Sequence, residues 1–351
     1  MIRALVVEDS PVIREFLVHV LASDPEIEVV GTAGDGEEAI REVQRKNPDV
    51  ITMDINMPKV DGFRATRQIM ETNPTPIVIV TGSWDTKEIA TTFRAMEAGA
   101  LAVVPRPLGL GHPDHHASAQ ELIRRVKLMS EVKVVRRWGG PARRAEPPAP
   151  SPQVDRIPVG RDAQVEIVAI GASTGGPVVV QRILSLLSES FPVPIVIVQH
   201  MAAGFVQGFV EWLGETTGYR VRVACQGEPL EPGRAHVAPD GFHMGVTKRG
   251  RLLLAAEAPE NGLRPSVSYL FRSVADVYGK RAAAVLLTGM GKDGAEELKR
   301  LKDGGAITFA QDEASSVVFG MPGEAIRLGG ASYVLSPDGV ASALRRLVAR
   351  P

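Results

Sequence analysis

Small residues crowd one stretch of this chain, Ile170-Gly171-Ala172-Ser173-Thr174-Gly175-Gly176-Pro177, between apolar runs at 165–169 and 178–187. The stretch reads as strand, glycine-rich turn and helix. Gly171-x-Ser173-x-Gly175 is a spacing in which small neighbours allow a sharp turn that pushes a serine oxygen out over the carboxyl end of a sheet. Serine is a weak nucleophile unless a base takes its proton. The nearest candidate base is His200, at the end of the next apolar strand in Val198-Gln199-His200-Met201. Asp293, in the loop Thr288-Gly289-Met290-Gly291-Lys292-Asp293-Gly294 after another apolar strand, is placed to hold the imidazole tautomer and stabilise the imidazolium. An oxyanion formed by attack on a carbonyl needs preorganised donors, for which the amides of Thr174 and of Met290 or Gly291 are candidates. The chain order Ser, His, Asp differs from the familiar hydrolase orders, so strand-end geometry has to carry the expectation.

The same residues admit other readings. Gly171 to Gly176 could cradle a phosphate at a helix start, as in a dinucleotide-binding fold. The spacing G-x-x-x-G-G departs from G-x-G-x-x-G, however, and the next strand ends in Gln199-His200 where an acidic ribose ligand is expected. His200 as a satisfied histidine and Asp293 as a helix cap are each reasonable alone. Their joint placement at strand ends favours hydrolysis.

A second constellation lies near the amino terminus. Glu8 and Asp9 stand where the first strand ends, and Asp54 where the third ends, ahead of the turn-rich Met57-Pro58-Lys59-Val60-Asp61-Gly62. Carboxyl ends of neighbouring parallel strands converge at a switch point, so three carboxylates meet there. An oxygen-only cluster of this kind suits Mg²⁺, and its chemistry is phosphoryl transfer to one carboxylate. Thr81 and Arg106 follow the fourth and fifth strands, where each can contact a phosphoryl oxygen.

The elements that must position these groups follow from hydrophobic patterning. From residue 2 to about 130, apolar runs at 4–7, 27–30, 50–53, 76–80 and 101–104 alternate with amphipathic stretches, which predicts five parallel strands with helices on both faces. A charged helical stretch at 120–137 precedes a Pro-, Ala- and Arg-rich segment at 139–158, which reads as a semi-rigid linker. Alternation resumes at Val165, with strands expected at 165–170, 194–198, 220–224, 282–287 and 306–310 and with hairpins over 227–254.

Val6-Val7-Glu8-Asp9-Ser10 and Asp54 to Gly62 make residues 1–125 resemble the receiver domain of bacterial response regulators. The resemblance implies a flavodoxin-like fold, phosphorylation at Asp54, and Mg²⁺ held by Glu8, Asp9 and Asp54, with Thr81 and Arg106 as auxiliary residues. Two departures are Arg106 where that family usually has lysine and Val103 where it often has an aromatic. The turn around Ser173, Gln199-His200-Met201, Arg264-Pro265-Ser266-Val267, the loop 288–294 and Gly320-Met321-Pro322 extend the likeness over the whole chain, which resembles the chemotaxis receptor methylesterase family, CheB. Here Ser268 stands where aspartate is more common, a departure expected to bear on substrate contacts and not on the triad. The resemblance implies a receiver at 1–125, a helix end and linker at 126–160, and a Rossmann-like catalytic domain at 161–351, mainly parallel with added hairpins. It further implies a Ser173-His200-Asp293 triad hydrolysing glutamate methyl esters and deamidating glutamines on methyl-accepting receptors, without a cofactor for that chemistry. A histidine kinase is the implied phosphodonor, and the unphosphorylated receiver is implied to cover the active site. The alternative is a phosphorylation-dependent binding or scaffold protein.

Composition limits the remaining classes. With 351 residues, 44% hydrophobic and 23% charged, the chain has the make-up of a globular protein of about two domains. A formal net charge of −1 offers no global attraction for nucleic acid. Cys225 is the only cysteine, which excludes an internal disulfide and a Cys/His zinc cluster and suits a reducing cytoplasm; it is expected to pack beside a strand. The sequence has no leader pattern at Met1–Val7 and no apolar run of membrane-spanning length, so membrane insertion is not expected.

Overall fold

A computed structural model describes residues 1–82, 86–132, 134 and 165–348 of the chain. The linker expected at 139–158 and the end of the charged stretch past residue 134 lie outside the described residues. The chain divides into two compact units, Met1–Arg144 and Ala145–Pro351.

In the first unit, strands β1 (Ile2–Val7), β2 (Ile27–Ala33), β3 (Val50–Met53), β4 (Ile77–Thr81) and β5 (Ala102–Pro105) form one parallel sheet in the order β2-β1-β3-β4-β5. β3 and β4 are buried at every residue, as continuous apolar runs must be when helices cover both faces. Helices α1 (Pro11–Ala22) and α5 (His115–Ser130) pack together, as do α2 (Gly36–Lys46), α3 (Gly62–Thr72) and α4 (Thr86–Glu97). Asp35 and Asp61 cap α2 and α3 by accepting from the amides of Glu38 and Arg64 at 2.8 and 2.7 Å. This order reverses between β1 and β3, where a doubly wound sheet opens its crevice.

The second unit holds a seven-stranded parallel sheet. Its strands are β6 (Ile167–Ala172), β7 (Ile195–Gln199), β8 (Arg220–Val223), β9 (Arg234–Val237), β12 (Ala282–Leu286), β13 (Ile307–Gln311) and β14 (Tyr333–Leu335), in the order β14-β13-β12-β6-β7-β9-β8. Helices α6 (Gly176–Leu186) and α7 (Val206–Thr217) pack together, with α11 (Pro337–Val348) against α6; α8 (Val267–Val277), α9 (Ala295–Asp303) and α10 (Met321–Arg327) form another group. The five strands expected in this half are present within two residues at each end. Two more are not as expected. β9 lies inside the stretch read as hairpins, yet it enters the parallel sheet between β7 and β8, while β14 went unread. The hairpin that does form there, β10 (His243–Val246) with β11 (Leu252–Ala255), is a separate two-stranded antiparallel sheet with β10 against α8. Cys225, expected to pack, is exposed just past β8.

The switch point of this sheet lies between β6 and β12, and α8 begins close above it. Val267, its first residue, is fully buried, and a Cβ built at Gly171 on β6 would fall 2.3 Å from its Cγ1; at Gly294 the distance is 2.4 Å. Gly294 also has a φ of +84°, which disfavours any other residue. Glycine at both places lets the amino end of α8 approach the strand ends. Gly171→Ala is expected to destabilise the second unit by about 1–3 kcal/mol through overpacking. The check is a chemical denaturation series, in which the second unit's midpoint should fall and the first unit's transition should stay in place.

Candidate functional site

Three strand ends of the second unit converge. Ala172 on β6 is registered with Gln199 on β7, so Ser173 and His200 each come one residue past a paired position on adjacent strands. The amide of His200 donates to the carbonyl of Ala172 at 2.9 Å. Gln199 Nε2 then donates to the carbonyls of both Ser173 (2.8 Å) and His200 (3.0 Å), locking the two turns together. On the other side, the amide of Ser173 donates to the carbonyl of Thr288 at 3.0 Å, which ties the serine turn to the glycine-rich loop after β12. That loop is held in turn by α10, since Gly289 O accepts from the amides of Gly320 (3.1 Å) and Met321 (2.9 Å). Of the expected oxyanion residues, Thr174 is buried beside Ser173, while Met290 and Gly291 are exposed in the loop.

Asp293 completes the cluster. Its Oδ2 lies 2.9 Å from His200 Nε2, with both side chains almost wholly buried (3% and 7% exposed). The two atoms lie within hydrogen-bonding distance, although the ring N–H is not in line with the oxygen. Three donors from the start of α8 hold the carboxylate: Ser266 Oγ to Oδ1 at 2.8 Å, Ser268 N to Oδ1 at 3.0 Å and Val267 N to Oδ2 at 2.6 Å. Burial alone pushes this carboxyl up; the contact with His200, the Val267 amide and Ser268 outweigh it and hold it down at about 2. Asp293 is thus ionised throughout the neutral range and is no cap for its own helix.

Ser268 departs from expectation. Its side chain does line a cleft of about 370 Å³ with Arg272, Lys292 and Glu296. Yet its amide binds Asp293 directly and its Oγ accepts from Gly294 N at 2.9 Å, so it supports that aspartate as well. Sequence reasoning missed Ser266, Val267 and Ser268 as holders of that aspartate. Proline followed by serine ahead of an apolar periodic run is the helix-start signal that could have found them.

In the first unit, the carboxylates of Glu8, Asp9 and Asp54 each offer an oxygen within 4.8 Å of the others. They open on a cleft of about 360 Å³ together with Thr81, Gly82 and Arg106. Burial, then the charge of Asp54, pushes Glu8 up to about 7, and burial likewise raises Asp54. Crowded carboxylates offering hard oxygens only fit a divalent cation such as Mg²⁺. Arg106 Nη2 pairs with Glu8 Oε2 at 3.2 Å. A Cβ on Gly82 would lie 2.8 Å from Arg106 Nη1, so glycine beside Thr81 makes room for a planar guanidinium where the smaller lysine ammonium is usual. Val103, the second departure, packs half-buried against the apolar core of this unit.

Fold and site define a class: a receiver-type sheet joined in one chain to a doubly wound sheet that carries serine, histidine and aspartate at its switch point. The family model of the CheB methylesterase matches residues 168–344, and that of the response regulator receiver domain matches residues 4–112. The chain is 59% identical over 350 residues to a protein-glutamate methylesterase/protein-glutamine glutaminase of Nitrosospira multiformis, covering 99% of this chain and 98% of that one. A protein of the same name from Syntrophus aciditrophicus is 56% identical over 349 residues, covering 99% and 98%. The solved CheB methylesterase catalytic domain of Thermotoga maritima is 38% identical, covers 52% of this chain and 99% of its own, and superposes with a TM-score of 0.51. The chain belongs to the CheB methylesterase family and carries a response regulator receiver domain.

The depressed pKa of Asp293 sets a pH dependence. Its folded value of about 2 lies below the 3.8 of the free group, so its contribution to stability is complete above pH 4 and lost as pH falls through 2. The contribution is about 2 kcal/mol. In Asp293→Asn this loss should disappear: thermal midpoints of wild type and variant, measured from pH 6 to pH 2, should converge at the acid end.

Proposed function

We propose that this protein hydrolyses glutamate 5-methyl esters on methyl-accepting chemotaxis receptors and deamidates receptor glutamines, under control of phosphorylation at Asp54. The observation that carries this reading is the 2.9 Å approach of His200 to the buried, ionised Asp293, one strand away from Ser173. The curated relatives named for both reactions, similar along nearly the whole chain, support the substrate class. In this reading residues 1–125 are the receiver, 126–160 a helix end and linker, and 161–351 the catalytic domain.

His200 takes the proton of Ser173 as Oγ attacks the ester or amide carbonyl, and the carbonyl electrons move onto oxygen. With Nε2 facing Asp293, Nδ1 is the nitrogen left to accept that proton, which exchanges the two ring nitrogens relative to the chymotrypsin arrangement. Asp293 stabilises the imidazolium without being protonated, as its low pKa requires. The amide of Thr174 and the loop amides of Met290 or Gly291 are the donors for the oxyanion. Collapse returns the proton to the leaving group, releasing methanol or ammonia, and water activated by His200 then frees the glutamate. No cofactor takes part in this chemistry.

At the receiver, Glu8, Asp9 and Asp54 would hold Mg²⁺, which when bound supplies positive charge between an incoming phosphoryl group and the acids. The Asp54 carboxylate accepts the phosphoryl group from a histidine kinase, with Thr81 and Arg106 contacting its oxygens. Among the described residues no helix is long and apolar enough to cross a membrane; we place the protein in the cytoplasm, where kinase and receptor tails meet it.

The test is methanol release from a methylated receptor fragment. Ser173→Ala should lower the rate by about 10⁴- to 10⁶-fold. Asp54→Asn should remove the stimulation by a phosphodonor and Mg²⁺ while leaving the basal rate. No release above background from wild type, with a competent receptor fragment present, would instead favour a binding or scaffold role.

A further inference from the structure

Asp293 is held by the start of α8, and the start of α8 is itself held from outside. His243, on β10, is fully buried, and both of its ring nitrogens are engaged. Nε2 lies 3.1 Å from the carbonyl of Ala258, and Nδ1 accepts from the amide of Ser266 at 3.3 Å. A carbonyl on one side and an N–H on the other leave one arrangement, a neutral ring protonated at Nε2. Tyr269 stacks on the ring with centroids 4.8 Å apart and planes 14° from parallel, and its hydroxyl donates to Glu257 at 3.4 Å.

The residue that His243 secures is the one whose hydroxyl reaches the site. Ser266 caps α8 in an extended conformation (φ −113°, ψ 138°). Its Oγ accepts from the amide of Tyr269 at 3.4 Å while donating to Asp293 at 2.8 Å. The direction of that hydroxyl follows the backbone of residue 266, and the backbone N–H there is fixed by His243 Nδ1. A buried amide deprived of its acceptor turns toward another, and the hydroxyl turns with it. We infer that His243 is a positioning residue for the Asp293–His200 pair, acting through Ser266. It touches neither the reacting atoms nor the residues proposed to do so. The inference rests on the esterase reading above.

Three substitutions in the full-length protein separate this role from simple packing. His243→Phe keeps a buried ring and removes both polar atoms; His243→Asn keeps an acceptor near the Nδ1 place; His243→Gln keeps a donor near the Nε2 place. Methanol release is followed against pH for each, with thermal midpoints and the downfield proton resonance of the His200–Asp293 contact recorded alongside. His243→Phe should lower kcat by about 10- to 100-fold, the order expected for a misplaced catalytic group, with KM little changed. Its acid limb should shift from that of wild type, because the carboxylate facing the catalytic ring is displaced, and the resonance should weaken. His243→Asn should recover most of the rate, the limb and the resonance, and His243→Gln should not. Full kcat in His243→Phe overturns the inference, as does rescue by Gln and not Asn. Equal losses in all three that track the thermal midpoint, with an unmoved acid limb and intact resonance, also overturn it. Absence of methanol release from wild type overturns the esterase reading instead, and the resonance still reports on His243.

Discussion

The second domain is organised around one buried negative charge. A carboxylate with almost no contact with water is tolerated only when charge-assisted donors replace its hydration. Here three of them come from a single helix start, and a fourth partner is His200. A helix start is suited to the task because its first amides have no partners within the helix and its dipole favours an anion. The demand propagates outward. For α8 to reach Asp293, Val267 must enter the space that Gly171 and Gly294 leave open, and Ser266 must be held in its extended conformation. The helix is anchored farther back by the hairpin, where Ser273 Oγ accepts from the amide of Val246 at 3.2 Å. The position of the carboxylate that faces the proposed catalytic histidine is therefore a consequence of where α8 begins.

The first domain handles carboxylates in the opposite way. At the same kind of switch point it crowds three of them with one arginine; burial, which that single cation does not offset, pushes Glu8 and Asp54 up. A compensated aspartate remains charged and rigid, as an orienting group must. An undercompensated cluster of hard oxygens suits the cation and phosphoryl group proposed for it. The two domains share a doubly wound topology and differ in how much positive charge meets the acids at the crevice.

Much of the architecture could be read from apolar runs. Parallel strands covered on both faces must be apolar nearly throughout, so β3, β4, β6, β7 and β12 stood out against their amphipathic neighbours. β9 and β14 did not. They have four and three residues, and the sequence around β9 carries the glycines and prolines that signal hairpins. Its place between β7 and β8 depends on pairing with strands distant in the chain, which local pattern does not encode. Ser173, His200, Asp293 and the acids at 8, 9 and 54 were legible because chemistry constrains their types and strand ends constrain their spacing.

What the sequence determined by itself was the inventory: two alternating α/β halves, a hydroxyl on a tight turn, a base and an acid at other strand ends, and three carboxylates around a candidate cation site of oxygen ligands. Tertiary structure alone decided how those groups are held. Asp293 meets Ser266 at a separation of 27 residues, and Ser266 meets His243 at 23. Arg106 meets Glu8 at 98, in space left by Gly82. Such partners are chosen by which strand ends and helix starts the folded sheet brings within about 3 Å, the range over which hydrogen bonds act. No local periodicity carries that information, because it arises only once the long-range strand order has been set.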